Sequence, residues 1–143
     1  MIRVKLADLI FDEYSQMGIM LLEDEATSRV LPIWIGLFET QAILFRLQNM
    51  YFPRPLTHDL FKNCLDMLGI KVEYVIVTTV KDNTYYAEIH LLKDTERYVL
   101  DSRPSDAVAL AVRTESPIYV SEDVMNTAAM SKEEFDREQK VKH

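Results

Sequence analysis

The sequence predicts a single α+β domain, a mixed β-sheet with several helices packed on it. Three observations lead there. The length of 143 residues fits one domain and buries a sizeable core without staples. β-Branched residues concentrate in short runs with strand patterning. Between these runs lie segments of helical period, bounded by proline, hydroxyl residues and glycine.

The elements follow in order. "IRVKLADLIFDE" alternates Ile2, Val4 and Leu6 with charged residues, the pattern of a half-buried strand. "GIMLLEDE" and "RVLPIWIG" read as two further strands. "LFETQAILFRLQNM" (Leu37 to Met50) has a wide apolar face and predicts a helix. Glu39 and Arg46 fall on one side of it, as an ordinary surface pair would. "YFPRPL" must be extended, because each proline pushes the residue before it out of helical geometry. Thr57 is then expected to cap a helix closed by Gly69, with Cys64 on its apolar face. "IKVEYVIVTTV", an Asp82-Asn83 turn and "TYYAEIHLLK" predict a hairpin. "ERYVLD" is a short strand leading to a helix from about Ser105 to Arg113. "SPIYVS" is a return strand, and two helical pieces near Glu122–Ala129 and Lys132–Lys140 follow.

Composition narrows the function. The single cysteine, Cys64, excludes a disulfide-built domain. With only His58, His90 and His143, a structural zinc site has too few ligands. The formal charge is -7, from 16 basic and 23 acidic residues. The stretch from Ser131 onward is balanced, so the acidic excess lies before it. The broad basic face usual in nucleic-acid binders is therefore missing. Gly18, Gly36 and Gly69 are too far apart for a phosphate loop or dinucleotide fingerprint. No signal-peptide pattern opens the chain, and charges interrupt every apolar run. A soluble, cytoplasmic protein is expected.

Two stretches carry the chemistry. "LDSRPSDAVALAVR" (Leu100 to Arg113) sets two carboxylates and a guanidinium against a helix that is apolar nearly all round. Pro104 forces Arg103 to be extended, Ser105 can cap, and Asp106 suits the first turn. Capping leaves Asp101 and Arg103 without a reason. "PRPLTHDLF" (Pro53 to Phe61) repeats the arrangement with Arg54, Thr57, His58 and Asp59. Such charges pair with one another, bind a divalent metal or frame a substrate. Ser102 or Ser105 with His58 makes only a nominal triad, since no G-x-S-x-G elbow is present. The two stretches are expected to lie side by side and share one charged pocket.

"LPIWIGLFETQAI", "PRPLTHDL" and "DSRPSDAVALAVRTESPIYV", in that order and spacing, resemble the signature blocks of the bifunctional nuclease domain family. The likeness covers roughly residues 1–128, leaving 129–143 as a charged helical tail. Its charged positions match Glu39, Arg54, His58, Asp59, Asp101, Arg103, Asp106 and Arg113; Thr40 stands where the family more often has Ala. The resemblance implies a compact α+β fold and a nuclease acting on RNA and DNA, and RNA or single-stranded DNA is the expected partner. On that basis metal-assisted phosphodiester hydrolysis is expected. Asp101, Asp106 and Asp59 would hold Mg²⁺ or Mn²⁺, with Glu39 a further carboxylate. His58 would carry protons, and Arg54, Arg103 and Arg113 would bind substrate. The alternative is a non-catalytic module that binds a ligand or self-associates, its charges forming a structural network. A homodimer is the expected assembly, with Val124, Met125 and Met130 offered as its apolar surface.

Overall fold

A computed structural model describes residues 1–142 of the chain. In order it runs β1 (Ile2–Asp12), β2 (Met17–Asp24), β3 (Arg29–Ile35), α1 (Leu37–Leu47), α2 (Thr57–Met67), β4 (Lys71–Lys81), β5 (Thr84–Lys93) and β6 (Glu96–Ser102). It continues through α3 (Pro104–Thr114), β7 (Ile118–Val120), α4 (Glu122–Ala128), β8 (Met130–Ser131) and α5 (Lys132–Lys142). Among the described residues the strands form one eight-stranded sheet in the order β6-β5-β4-β7-β1-β2-β3-β8. Every neighbouring pair is antiparallel except β4 and β7, so the sheet is mixed and the fold is α+β.

Strand β2 shows why the burial pattern matters. It is buried on both faces: Met20 and Leu22 enter the main core, while Ile19 and Leu21 face the other way. The main core lies under α1, α2 and α3, and joins Ile43, Leu65 and the Ala107–Ala111 run to the strands. On the opposite face a small second core holds Val30, Ile19 and Leu21 against Phe135 of α5. The helix carrying the charged tail is thus pinned to the sheet by one aromatic. Its terminal residue, His143, lies outside the described residues.

Asp82 and Asn83 form the expected turn; both have positive φ (52° and 60°), as a two-residue hairpin requires. Three local expectations are overturned. Thr57 and Ser105 lie inside their helices, and the N-cap positions belong to Leu56 and Arg103. For α3 a proline explains this. Pro104 takes the first helical position, where its missing N–H costs nothing, and so moves the start ahead of Ser105. Cys64 is exposed, because α2 buries only a narrow stripe around Leu65. Val124 and Met125 are core residues and so cannot form an outer apolar surface; only Met130 is partly accessible.

Candidate active site

The first turns of α1, α2 and α3 meet at one surface cavity of about 590 Å³. Glu39 comes from the first turn of α1, His58 from that of α2, and Asp106 from that of α3, with Arg103 as its N-cap. None of the three helices has a side-chain N-cap bond, whereas Ser121 accepts one from Val124 at the start of α4. Their N-terminal amides and positive dipole ends are therefore left for another partner. Gly36 helps build the corner. A Cβ there would come within 2.7 Å of a Glu39 carboxylate oxygen, so a larger residue would push that carboxylate aside.

Asp106 is the hub. It lies 2.8 Å from His58 Nε2 through Oδ1 and accepts from Arg103 through both oxygens, at 2.8 Å from Nε and 3.1 Å from Nη2. Arg103 Nη1 also donates to Glu39 at 3.2 Å. The His58 hydrogen bond and then the Arg103 guanidinium hold the Asp106 carboxyl down to about 2, against the opposing effect of burial. The same contacts raise Arg103, so its charge is permanent. Since an ionised Asp106 only accepts, Nε2 carries the proton toward it, and in the neutral imidazole the lone pair is then on Nδ1.

A wider cleft of about 820 Å³ shares His58, Arg103 and Asp106 with the first and continues past Tyr85, Tyr86 and Leu100. The hub thus stands between two openings. Phe38, 78% exposed, projects at the border of the first.

The two stretches singled out in the sequence do lie side by side. His58 meets Asp106, and the next residue, Asp59, meets Arg113 with Oδ1 2.9 Å from Nε. That second contact is of another kind. The Arg113 side chain is 2% exposed against 62% for Arg103. Arg113 also donates to the Ala109 carbonyl and, across helices, to the Ala42 carbonyl, both at 2.8 Å. It ties α1, α2 and α3 together, with one hydrogen bond each from Nε, Nη1 and Nη2.

Other expected residues are placed elsewhere. Arg54 is exposed and borders a neighbouring cavity of about 500 Å³ with Arg46 and Lys62. Glu39 pairs with Arg103 and not with Arg46, which donates to Asn49. Asp101 borders the wider cleft, but it sits opposite Glu88, out of phase with the Ile89–Leu100 pair on the core side of the sheet. Among the described residues no three His, Cys, Asp or Glu side chains form a metal-holding group. Asp59, Asp101 and Asp106 do not form such a group: Asp59 is held by Arg113, while Asp101 borders the wider cleft beside Asp106. Sequence reasoning missed the shared meeting point of the three helix starts, Gly36 and Phe38. Only the extended Pro-rich entries to α2 and α3 hinted at the first of these.

The fold and this corner describe an α+β domain with a histidine–carboxylate pair between two clefts. Residues 20–133 match the model of the bifunctional nuclease domain. An uncharacterised protein of Mycobacterium tuberculosis is 34% identical over 127 residues, 89% of this chain and 76% of that protein. Bifunctional nuclease 2 of Arabidopsis thaliana is 32% identical over 107 residues, 73% of this chain and 32% of the plant protein. Bifunctional nuclease 1 of Oryza sativa subsp. japonica is 29% identical over 113 residues, 77% of this chain and 34% of its own length. The chain belongs to the bifunctional nuclease domain family. It spans about a third of these plant relatives. Among the described residues no helix is long and apolar enough to cross a membrane.

Proposed function

We propose that the domain cleaves phosphodiester bonds of RNA or single-stranded DNA at the corner where α1, α2 and α3 begin. The observation that carries this reading is the meeting of three helix starts without side-chain caps beside a permanently charged arginine. Such a corner favours an anion despite the acidic whole chain. The plant relatives are named bifunctional nucleases, which supports a nucleic-acid substrate.

In this reading a phosphate enters the cavity and is held by helix-start amides and by the free N–H groups of Arg103. His58 Nδ1 takes the proton of the attacking hydroxyl, from water or a ribose 2′-OH, or returns one to the leaving oxygen. Asp106 fixes the tautomer and stabilises the imidazolium that forms. Phe38, at the rim, offers a face on which a base can stack, an interaction open to unpaired strands.

The test is cleavage of single-stranded RNA and DNA by the purified chain with Mg²⁺, with Mn²⁺ or with EDTA, beside Asp106→Asn. The wild type is expected to cut, and the variant to be slower by about 10²-fold or more. A wild type that cuts nothing under any condition, or a variant equally fast, sinks the proposal. Binding of oligonucleotides without cleavage would favour the ligand-binding alternative.

A further inference from the structure

The cavity beside the reaction corner has a composition of its own. Its wall runs from Phe45 and Arg46 on α1, through the loop of residues 48–56, to Lys62 on α2, around about 500 Å³. From Thr40 to Leu65 the chain carries Arg46, Arg54 and Lys62 against one acid, Asp59, in a protein of formal charge -7. Asp59 is already paired with Arg113. The cavity is therefore a local basic site on an acidic molecule.

Two of its residues are left for a ligand. Arg46 donates to Asn49 and Lys62 to Asp66, but Arg54 has no hydrogen bond or ion pair among the described residues. Pro53 and Pro55 flank it, and Pro55 keeps Arg54 extended, so this free guanidinium stands on stiff backbone. Little freedom is then lost when it binds. Tyr51 is the second residue. Phe52 anchors the loop by packing its ring on Phe45 of α1, centroids 5.0 Å apart, while Tyr51 beside it is 89% exposed. Its ring offers an unoccupied face for stacking.

The cavity also adjoins the corner where α1, α2 and α3 begin, because Phe45, Pro55 and Arg113 line both. Arg54 directly precedes Pro55, with Cα atoms about 3.8 Å apart, so a strand leaving the corner past Pro55 meets Arg54 next. We propose that this cavity is a second nucleotide subsite. Arg54 binds a phosphate there, and Tyr51 stacks the unpaired base of the nucleotide adjoining the one held at the corner. The inference rests on the reading of that corner as a phosphate site. A duplex keeps its bases stacked on one another, so the subsite favours single strands.

Fluorescence anisotropy tests this on the full chain, with labelled single strands of DNA or RNA of about 12 nucleotides, checked on a gel for cutting. Arg54→Ala is expected to raise the dissociation constant about fivefold and to flatten its dependence on salt by about 0.7 in log–log slope, one phosphate contact. Tyr51→Ala should raise the constant about tenfold with the salt slope unchanged, and should not alter binding of a duplex. Both side chains are exposed, so both variants should melt with the wild type. Arg137→Ala removes the same charge from α5, on the opposite face of the sheet, and should leave binding within about twofold. If Arg54→Ala or Tyr51→Ala binds single strands as tightly as the wild type, or Arg137→Ala weakens binding as much, the subsite is overturned. A wild type that binds no single strand overturns it together with the reading of the corner. Binding that depends on Arg54 and Tyr51 without any cutting upholds the subsite and sinks the cleavage reading alone.

Discussion

Two ion pairs join the same two helices, and they differ in nearly everything but composition. His58 and Asp59 are neighbours on α2. His58 reaches Asp106 at the start of α3, and Asp59 reaches Arg113 near its end. Around Asp106 the arginine is open to solvent, both carboxylate oxygens are engaged, and two clefts adjoin. Around Arg113 the guanidinium is enclosed and spends its donors on one carboxylate and two carbonyls. Burial, not residue type, separates a group that can meet a substrate from one that braces the helices presenting it.

Removing the brace should have the largest effect on stability. Arg113→Ala strands the Asp59 carboxylate, removes the side-chain donor that links α3 to the Ala42 carbonyl, and opens a cavity between three helices. The expected cost is about 3 kcal/mol, a fall in Tm of roughly 8 °C. A melt within 2 °C or so of wild type would erase the distinction. Asp59→Asn should cost less, about 1.5 kcal/mol, since the amide oxygen still accepts from Arg113 while the countercharge is lost. Its cleavage rate should stay within about twofold of wild type; a large loss would move Asp59 into the reacting group.

Acid separates the pairs more finely. The Asp106 carboxyl titrates at about 2 in the fold, below its ordinary range. A depressed carboxyl stabilises the fold above its unfolded pKa and stops doing so as pH falls through the folded one. The stability gap between wild type and Asp106→Asn should therefore be full above about pH 4 and shrink toward pH 2. After allowance for solvent access that gap is about 1 kcal/mol. Urea melts at several pH values measure it, and a gap constant down to pH 2 would contradict the assignment. Glu39→Gln should have the smallest effect, a few tenths of a kcal/mol, because its pair with Arg103 is exposed.

The difference between the pairs also marks what sequence could convey. The strand runs, the hairpin turn and the prolines before α2 and α3 were readable, because each is a local preference. The adjacency of "PRPLTHDLF" and "LDSRPSDAVALAVR" could be inferred from their shared demand for charged partners. Which arginine would be buried could not. Arg113 follows an apolar run and reads like any cation at a helix end, and only packing against α1 and α2 encloses it. Asp101 does border the cleft that His58, Arg103 and Asp106 line, but its register opposite Glu88 on β5 could not be read from one strand's pattern. The same gap hid Val124 and Met125 in the core.

The most direct measurement of the central claim pairs cleavage with melting for His58→Gln and Asp59→Asn. His58→Gln keeps a donor toward Asp106 but cannot carry a proton. The account predicts that it loses about 10²-fold or more of the cleavage rate with Tm little changed, while Asp59→Asn loses stability and keeps cleaving. If His58→Gln cuts as fast as wild type, or Asp59→Asn is the variant that stops cutting, the division between reacting group and brace is contradicted.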